Sequence, residues 1–169
     1  MRIFVTGATG FIGSQIVGNL LARGDEVLGL ARSDEAAAAL ADRDVTVWRG
    51  HLADPEGLAA AARESDGVIH TAFDHDFSKY VEAGEQERRV IEALTRALAG
   101  TGKPLVAASG TGVVPPGGDE RDVASTEGFV RVRGLPETLV VAAAEQGVRA
   151  SVVRLPPRCT TGKDRAWSA

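Results

Sequence analysis

The chain has 169 residues, of which 44% are apolar and 25% are charged, and its formal net charge is −4. These values are typical of one globular domain and exclude a wholly disordered chain, a collagen and a long coiled coil. Because the sequence has no basic stripe, no long apolar run and a single cysteine, it predicts a cytoplasmic protein with no nucleic-acid partner, no membrane span, no internal disulfide and no metal site.

Short apolar runs alternate along the chain with stretches of helical periodicity. The runs predict six strands, and because each is continuously apolar, we expect both faces of the sheet to be buried. Alternation of strand and helix predicts a parallel sheet with right-handed crossovers. The predicted strands are residues 3–6, 26–30, 46–49, 67–71, 105–109 and 150–154, and the predicted helices are residues 11–22, 34–41, 55–62, 79–99 and 136–145.

A glycine-rich turn follows the first strand and opens the first helix. Gly7 permits a tight turn, Gly10 lets the backbone approach a pyrophosphate, and Gly13 lets the helix pack closely on the sheet. The amino end of the helix adds free N–H groups and a partial positive charge. The turn therefore predicts dinucleotide binding, the alternative being a turn that binds nothing. The predicted cofactor contacts here are Thr6, Gly7, Thr9, Gly10, Phe11, Ile12 and Gly13.

The motif Thr-Gly-x-x-Gly-x-x-Gly at residues 6–13 resembles the short-chain dehydrogenase/reductase superfamily, in particular its extended and atypical branches, the NAD-dependent epimerase/dehydratase-like proteins. The resemblance covers residues 1–157. It implies an α/β, Rossmann-type, doubly wound parallel sheet of six strands in the order 3-2-1-4-5-6. It also implies an NAD(P)-dependent oxidoreductase that reduces a carbonyl or oxidises a sugar-like hydroxyl of a small-molecule substrate, which the motif does not identify.

The end of the second strand bears on the choice between NAD and NADP. NAD sites place a carboxylate there, on the ribose 2′-hydroxyl, whereas this strand ends Leu30-Ala31-Arg32-Ser33. A guanidinium at Arg32 suits a 2′-phosphate, and Ser33 can add a second donor. We therefore predict NADP in preference to NAD, the alternative being a solvated arginine that caps the strand.

Two further segments are assigned to the cofactor by the resemblance. His51 stands where the family carries an aspartate near the adenine, and the next residue, a leucine, can pack on that ring. The loop after the fourth strand is expected under the nicotinamide ribose, and we interpret His70 as a structural, hydrogen-bonded histidine. The predicted contacts from these segments are His51, Leu52, Thr71, Ala72 and Phe73.

The catalytic group of the superfamily is incomplete in this chain. The resemblance implies a Ser or Thr that polarises the substrate oxygen, and Ser109 or Thr111 can fill that place, with strand termination as the alternative. It also implies a Tyr-x-x-x-Lys dyad, in which the tyrosine moves a proton and the lysine lowers its pKa. No such dyad occurs, and the single tyrosine, Tyr80, lies on an earlier helix.

Arg133 and Glu137 stand at the positions of the missing dyad. An arginine stays protonated and is a poor proton donor, and a glutamate supplies no cation for the ribose. Pro136 disfavours a helical conformation at the residue before it, so we expect the helix to begin there, with Arg133 in a loop. Two alternatives to an oxidoreductase stay open: a non-catalytic sensor similar to the NmrA-like group, and a degenerate fragment without a function.

Residues 158–169 have neither helical nor strand periodicity. We expect an irregular tail there in place of the substrate region that the resemblance implies. The surface that such a region would cover is expected to allow self-association.

The loss of resemblance expected at residue 158 motivates the hypothesis that a one-base shift in reading frame produced the tail. Read one base earlier with GC-rich codons, the tail can begin Ser-Val-His, as the resemblance leads us to expect. Resequencing the gene checks this hypothesis: a long open frame one base away is the expected result, and its absence would rule the hypothesis out.

Overall fold

The computed structural model describes residues 1–156, so the predicted tail at 158–169 lies outside the described residues. Strands and helices alternate along the described chain, as predicted. None of the helices in it is long and apolar enough to cross a membrane. The strands are β1 (Arg2–Thr6), β2 (Glu26–Ala31), β3 (Thr46–Arg49), β4 (Gly67–His70), β5 (Pro104–Gly110) and β6 (Arg149–Leu155), and the α-helices are α1 (Phe11–Ala22), α2 (Asp34–Ala41), α3 (Pro55–Arg63), α4 (Tyr80–Leu98) and α5 (Arg131–Ala142).

The six strands form one parallel sheet in the order β3-β2-β1-β4-β5-β6, which confirms the predicted Rossmann-type fold. The order reverses between β1 and β4, where Val5 pairs with Ile69 and Thr6 pairs with His70. In such sheets a ligand binds in the crevice at the carboxyl ends of the strands, at the point of reversal. The topology therefore places the glycine-rich turn, which follows β1, at that crevice.

Two apolar layers cover the two faces of the sheet. Ile3 and Val5 of β1 belong to a cluster with residues of α1 and α2, and Phe4, between them in sequence, belongs to a cluster with residues of α3, α4 and α5. Successive side chains of a strand point to opposite faces, so a strand covered on both sides must be apolar throughout. This explains why the strands read as continuous apolar runs.

The fifth helix corrects the sequence prediction. It begins at Arg131 and contains Pro136, so Arg133 is helical and does not lie in a loop. Pro136 has no N–H to donate within the helix, which removes one hydrogen bond. Tertiary contacts hold the first turn nevertheless: the Arg133 guanidinium bonds to two neighbouring elements, and Gly134 lies directly against the backbone of Ser125.

The substitution Gly134→Ala is expected to lower the free energy of unfolding by about 1–3 kcal/mol, because overpacking forces the backbone to shift. A Cβ on Gly134 would lie 1.9 Å from the carbonyl oxygen of Ser125. Chemical denaturation followed by circular dichroism measures the change. Gly112→Ala is the control, since a Cβ there would meet nothing within 4 Å. Equal stability of the two variants would show that α5 can move away from Ser125 at no cost in free energy.

Candidate functional site

A cleft of about 830 Å³ opens at the carboxyl ends of β1 to β4, where the strand order reverses. Segments that are far apart in sequence meet there: the glycine-rich turn, the end of β2, the loop after β3 and the loop after β4. Most of the predicted cofactor contacts line this cleft. They are Gly7, Thr9, Gly10, Phe11, Ile12, Gly13, Arg32, His51, Leu52, Thr71, Ala72 and Phe73.

The glycine-rich turn is shaped by close approaches that exclude side chains. Gly7 has φ 69°, and a Cβ on it would lie 2.7 Å from the Thr71 hydroxyl oxygen and 2.9 Å from the Ala72 nitrogen. A Cβ on Gly13 would lie 2.0 Å from the carbonyl oxygen of Gly7. No side chain caps α1 at Gly10, and no acidic residue lies in its first turn. The amino end of α1 therefore presents N–H groups and a partial positive charge to the cleft, which suits a pyrophosphate.

A buried hydrogen-bond network supports the floor of the cleft. The Thr6 hydroxyl oxygen accepts from the Thr71 N–H at 3.2 Å and the Ala72 N–H at 3.3 Å, and it lies 2.8 Å from Nδ1 of His70. Since the oxygen already accepts two bonds, its own proton points to His70. Burial, with the charge of Arg133 as a lesser cause, lowers the pKa of His70 to about 3, so the ring is neutral and can accept that proton.

This network confirms that His70 is a structural, hydrogen-bonded histidine. It also gives Thr6 a structural role in place of the predicted role as a cofactor contact. The Thr6 side chain is fully buried and its hydroxyl is used beneath the cleft, so it positions the loop after β4 and is not open to a cofactor. The Thr71 hydroxyl donates back to the Thr6 carbonyl oxygen at 2.8 Å, which closes the link between the two strands.

Two arginines lie at the ends of β2 and β3, and of the two only Arg32 lines the cleft. Arg32 is exposed and lines the cleft, whereas Ser33 caps α2 by accepting from the Ala36 N–H at 3.1 Å. Arg49, at the end of β3, donates to the Ser33 carbonyl oxygen at 2.6 Å and to the Asp34 carboxylate at 2.5 Å. Sequence reasoning missed Arg49, although its place as the last residue of the neighbouring parallel strand was a usable signal.

The predicted catalytic hydroxyls, Ser109 and Thr111, are not among the residues that line the cleft. Ser109 is buried, and its Oγ has no hydrogen-bond partner among the described residues. Thr111 is exposed and lines a different groove of about 940 Å³, which runs along β6. No group of three or more His, Cys, Asp or Glu side chains within residues 1–156 could hold a metal ion.

Arg133 is fixed between α4, β5 and the loop after β4. Its guanidinium donates to the Glu87 carboxylate of α4 and, at 2.9 Å, to the carbonyl oxygen of Ala108, and it lies 4.3 Å from the centre of the Phe73 ring. Glu87 is 4% exposed. Burial raises the pKa of Glu87 to about 7, although the charge of Arg133 acts in the opposite direction. These contacts hold Arg133 in place and make it an anchor for the helix.

Glu137 belongs to a second buried ion pair. Its Oε1 accepts from Arg154 of β6 at 2.9 Å and 2.6 Å, and the same guanidinium donates to the carbonyl oxygens of Asp119 and Asp122. The other oxygen, Oε2, has no hydrogen-bond partner among the described residues. Arg133 and Glu137 therefore do not act as a dyad. Each ties α5 to a different neighbour.

Aromatic side chains that sequence reasoning did not connect meet beside the cleft. The Tyr80 ring lies 4.5 Å from that of Phe129, 5.8 Å from that of Phe77 and 6.0 Å from that of Phe73, measured between ring centres. Phe73 also meets the edge of His75 at 5.4 Å. Residues 73–80 are close in sequence, but nothing in the sequence indicated that Phe129 would join them.

Known proteins resemble this chain over most of its length. The model of the NAD dependent epimerase/dehydratase family matches residues 3–162. An uncharacterized protein of Schizosaccharomyces pombe is 46% identical over 168 residues, which cover 99% of this chain and 57% of that protein. Both matches run past residue 157, so the similarity does not end there as expected, and the reading-frame hypothesis stays a prediction. The chain spans about half the length of the curated relatives it matches.

Solved structures show the same fold. The UDP-glucose 4-epimerase of Thermus thermophilus, in complex with NAD, is 30% identical with a TM-score of 0.69, and the match covers 91% of this chain and 54% of that one. The triphenylmethane reductase of Citrobacter sp., complexed with NADP(H), is 22% identical with a TM-score of 0.64, and the match covers 85% and 46%. The similarity to the reductase shows a shared fold and nothing about activity.

Glu87 is expected to contribute a loss of stability as the pH rises from about 4.5 through about 7. Its pKa is raised from 4.5 to about 7 in the folded protein, so in this window the folded state binds the proton that the unfolded state has released. The loss can reach about 3 kcal/mol. Glu87→Gln should remove this slope, as measured by denaturant titrations at several pH values.

The comparison of the variant with the wild type also separates Glu87 from His70. The lowered pKa of His70 gives the opposite slope, with stability gained as pH rises from about 3 towards 6.5. The wild type and the Glu87→Gln variant both keep His70, so the difference between their stability profiles reports on Glu87. Parallel stability profiles would show that Glu87 ionises like an exposed glutamate.

Proposed function

Because this chain belongs to the NAD dependent epimerase/dehydratase family, we propose that its cleft binds a nicotinamide dinucleotide, with NADP preferred over NAD. The observation that carries the proposal is the glycine-rich turn: its uncapped helix end faces the cleft, and side chains at Gly7 and Gly13 would clash with the backbone that shapes the turn. The chain is a dinucleotide-binding, oxidoreductase-like domain. When bound, the nicotinamide ring supplies the chemistry of hydride transfer.

The lining residues fit the parts of a dinucleotide. The turn at Gly10 and the amino end of α1 would hold the pyrophosphate. At one end, His51 and Leu52 would contact the adenine. At the other, the loop that contains Phe73 would support the nicotinamide ribose, and the Thr6 network fixes that loop from below.

The charges at the end of β2 support NADP. A 2′-phosphate is a strong acceptor that guanidinium groups recognise well. Arg32 is exposed at the cleft, and Arg49, which does not line the cleft, holds the start of α2 through its bonds to the Ser33 carbonyl oxygen and Asp34. The alternative, NAD, would need a carboxylate at the end of β2 for the ribose 2′-hydroxyl, and residues 30–33 include none.

The reaction we propose is the reduction of a carbonyl or the oxidation of a hydroxyl on a small molecule in the cytoplasm. Hydride transfer needs cofactor and substrate held in register and does not itself require the missing dyad. A second candidate is a non-catalytic sensor similar to the NmrA-like group. It is favoured by one observation: Arg133 and Glu137 are both held in buried ion pairs, so neither is free to move a proton.

Arg32→Ala is expected to weaken NADPH binding about 10- to 100-fold, since a charge-assisted hydrogen bond contributes about 1.5–3 kcal/mol. NADH affinity should change less than about twofold, because NADH has no 2′-phosphate for a guanidinium to recognise. Titrations followed by nicotinamide fluorescence measure both. The control is Arg63→Ala, an exposed arginine at the end of α3 that does not line the cleft.

The same titrations test the wider proposal. In the wild type, NADPH at 100 times its dissociation constant should stabilise the fold by about 2.7 kcal/mol. If a folded wild-type protein binds neither nucleotide, the glycine-rich turn is only a turn. If it binds NADPH, oxidation of NADPH with a panel of aldehydes and quinones separates the two candidates: turnover supports the reductase, and binding without turnover supports the sensor.

A further inference from the structure

Three aromatic rings form a stack at the rim of the cleft. Tyr80, the first residue of α4, lies nearly parallel to both neighbours, with an interplanar angle of 24° to Phe129 and 30° to Phe77. The centre-to-centre distances are 4.5 Å and 5.8 Å, within the range of favourable aromatic pairs. We call Phe77, Tyr80 and Phe129 the ring stack.

Two of the three rings in the ring stack are exposed to solvent. Phe77 is 56% exposed and Phe129 is 70% exposed. Phenylalanine is a side chain that folded proteins usually bury, so two large exposed rings in contact with one tyrosine are an informative departure. The exposed face of an aromatic ring in a stack can pack against one more flat ring.

The ring stack is continuous with the cleft. Phe77 belongs to both, and Phe73, which lines the cleft, meets the Tyr80 ring edge-on at 6.0 Å. Phe73 also lies against the Arg133 guanidinium, 4.3 Å from the ring centre, so Arg133 and its hydrogen bonds help to fix the Phe73 ring. A molecule on the ring stack would therefore lie next to the loop that we assign to the nicotinamide ribose.

The exposed area favours a small molecule over a protein partner. A whole Phe side chain buries about 150–250 Å², so two partly exposed rings offer less than about 400 Å² between them. A stable protein interface needs about 800 Å² on each partner. A single flat ring, by contrast, can be covered by this much surface.

We propose that the ring stack binds flat aromatic carbonyl compounds and selects them as the substrate class of this domain. The proposal rests on the proposed function, because it assigns the compound bound next to the cofactor. An end ring of the stack, Phe77 or Phe129, is the specificity residue, and Tyr80 stacks against both. Selection comes from the planarity of the ligand ring, since a puckered ring of the same size cannot stack.

The test compares two ketones that differ only in their ring, acetophenone and cyclohexyl methyl ketone. Ligand-observed NMR titrations of the full chain, with and without NADPH, give the two affinities. The proposal expects acetophenone to bind at least about threefold more tightly, as an aromatic pair contributes beyond its buried area. Simple apolar burial expects the reverse, because the saturated ring is the more hydrophobic of the two.

Leucine substitutions remove the rings and keep apolar side chains. One of the two, Phe77→Leu or Phe129→Leu, should weaken acetophenone binding about three- to tenfold and leave the saturated ketone unchanged, because a single ring can stack on only one end of the ring stack. Both rings are exposed, so the variants should fold, as thermal melts will show. Val141→Ala, at another exposed apolar residue, on α5 and 59% exposed, is the control and should bind both ketones like the wild type.

Three results would overturn the proposal: equal binding of the two ketones, no effect of either leucine substitution, or a dimer in sedimentation that Phe129→Leu dissolves. Such a dimer would show that the rings form a contact between two copies of the chain. Failure of the proposed function is read separately, from NADPH fluorescence. If NADPH does not bind but acetophenone still binds preferentially, the ring stack is a binding site without the cofactor chemistry.

Discussion

The hydroxyl of Thr6 is the contact on which the shape of the cleft depends. It joins the ends of β1 and β4, the two strands between which the sheet order reverses. By accepting two N–H groups from the following loop and donating to His70, it satisfies polar groups that burial would otherwise leave unpaired. Because the loop is held this closely, Gly7 can lie against it only without a side chain. The glycine of the turn and the threonine before it therefore act as one unit.

The region of the missing dyad has become structural. In its place two ion pairs, Arg133 with Glu87 and Arg154 with Glu137, hold α5 against α4 and β6. Removing one partner from such a pair is costly, because it leaves the other charge buried and unpaired. These two ion pairs keep α5 helical through Pro136. Because Arg133 and Glu137 are held in them, neither side chain is free to transfer a proton. Any chemistry in this domain must then rely on how cofactor and substrate are held.

The sequence predicted the fold in nearly all its parts because the local rules agree with one another. The central strands are apolar on both faces, and α1 and α2 lie at the predicted residues 11–22 and 34–41. The cofactor turn was recognisable because glycine is required there by close approach. The start of α5 was mispredicted, since a local preference at Pro136 was outweighed by contacts of Arg133 and Gly134 with distant segments.

Taken alone, the sequence determined the strand and helix order, the sheet and the phosphate-binding turn, because short-range periodicity and glycine positions encode them. Only the tertiary structure decided which side chains are free. Arg49 was brought beside Ala31 by strand pairing, Thr6 was turned inward, and Phe129 was stacked on Tyr80 from about fifty residues away. Such pairings depend on how elements pack across the sheet, and the residue types that form them do not by themselves identify their partners.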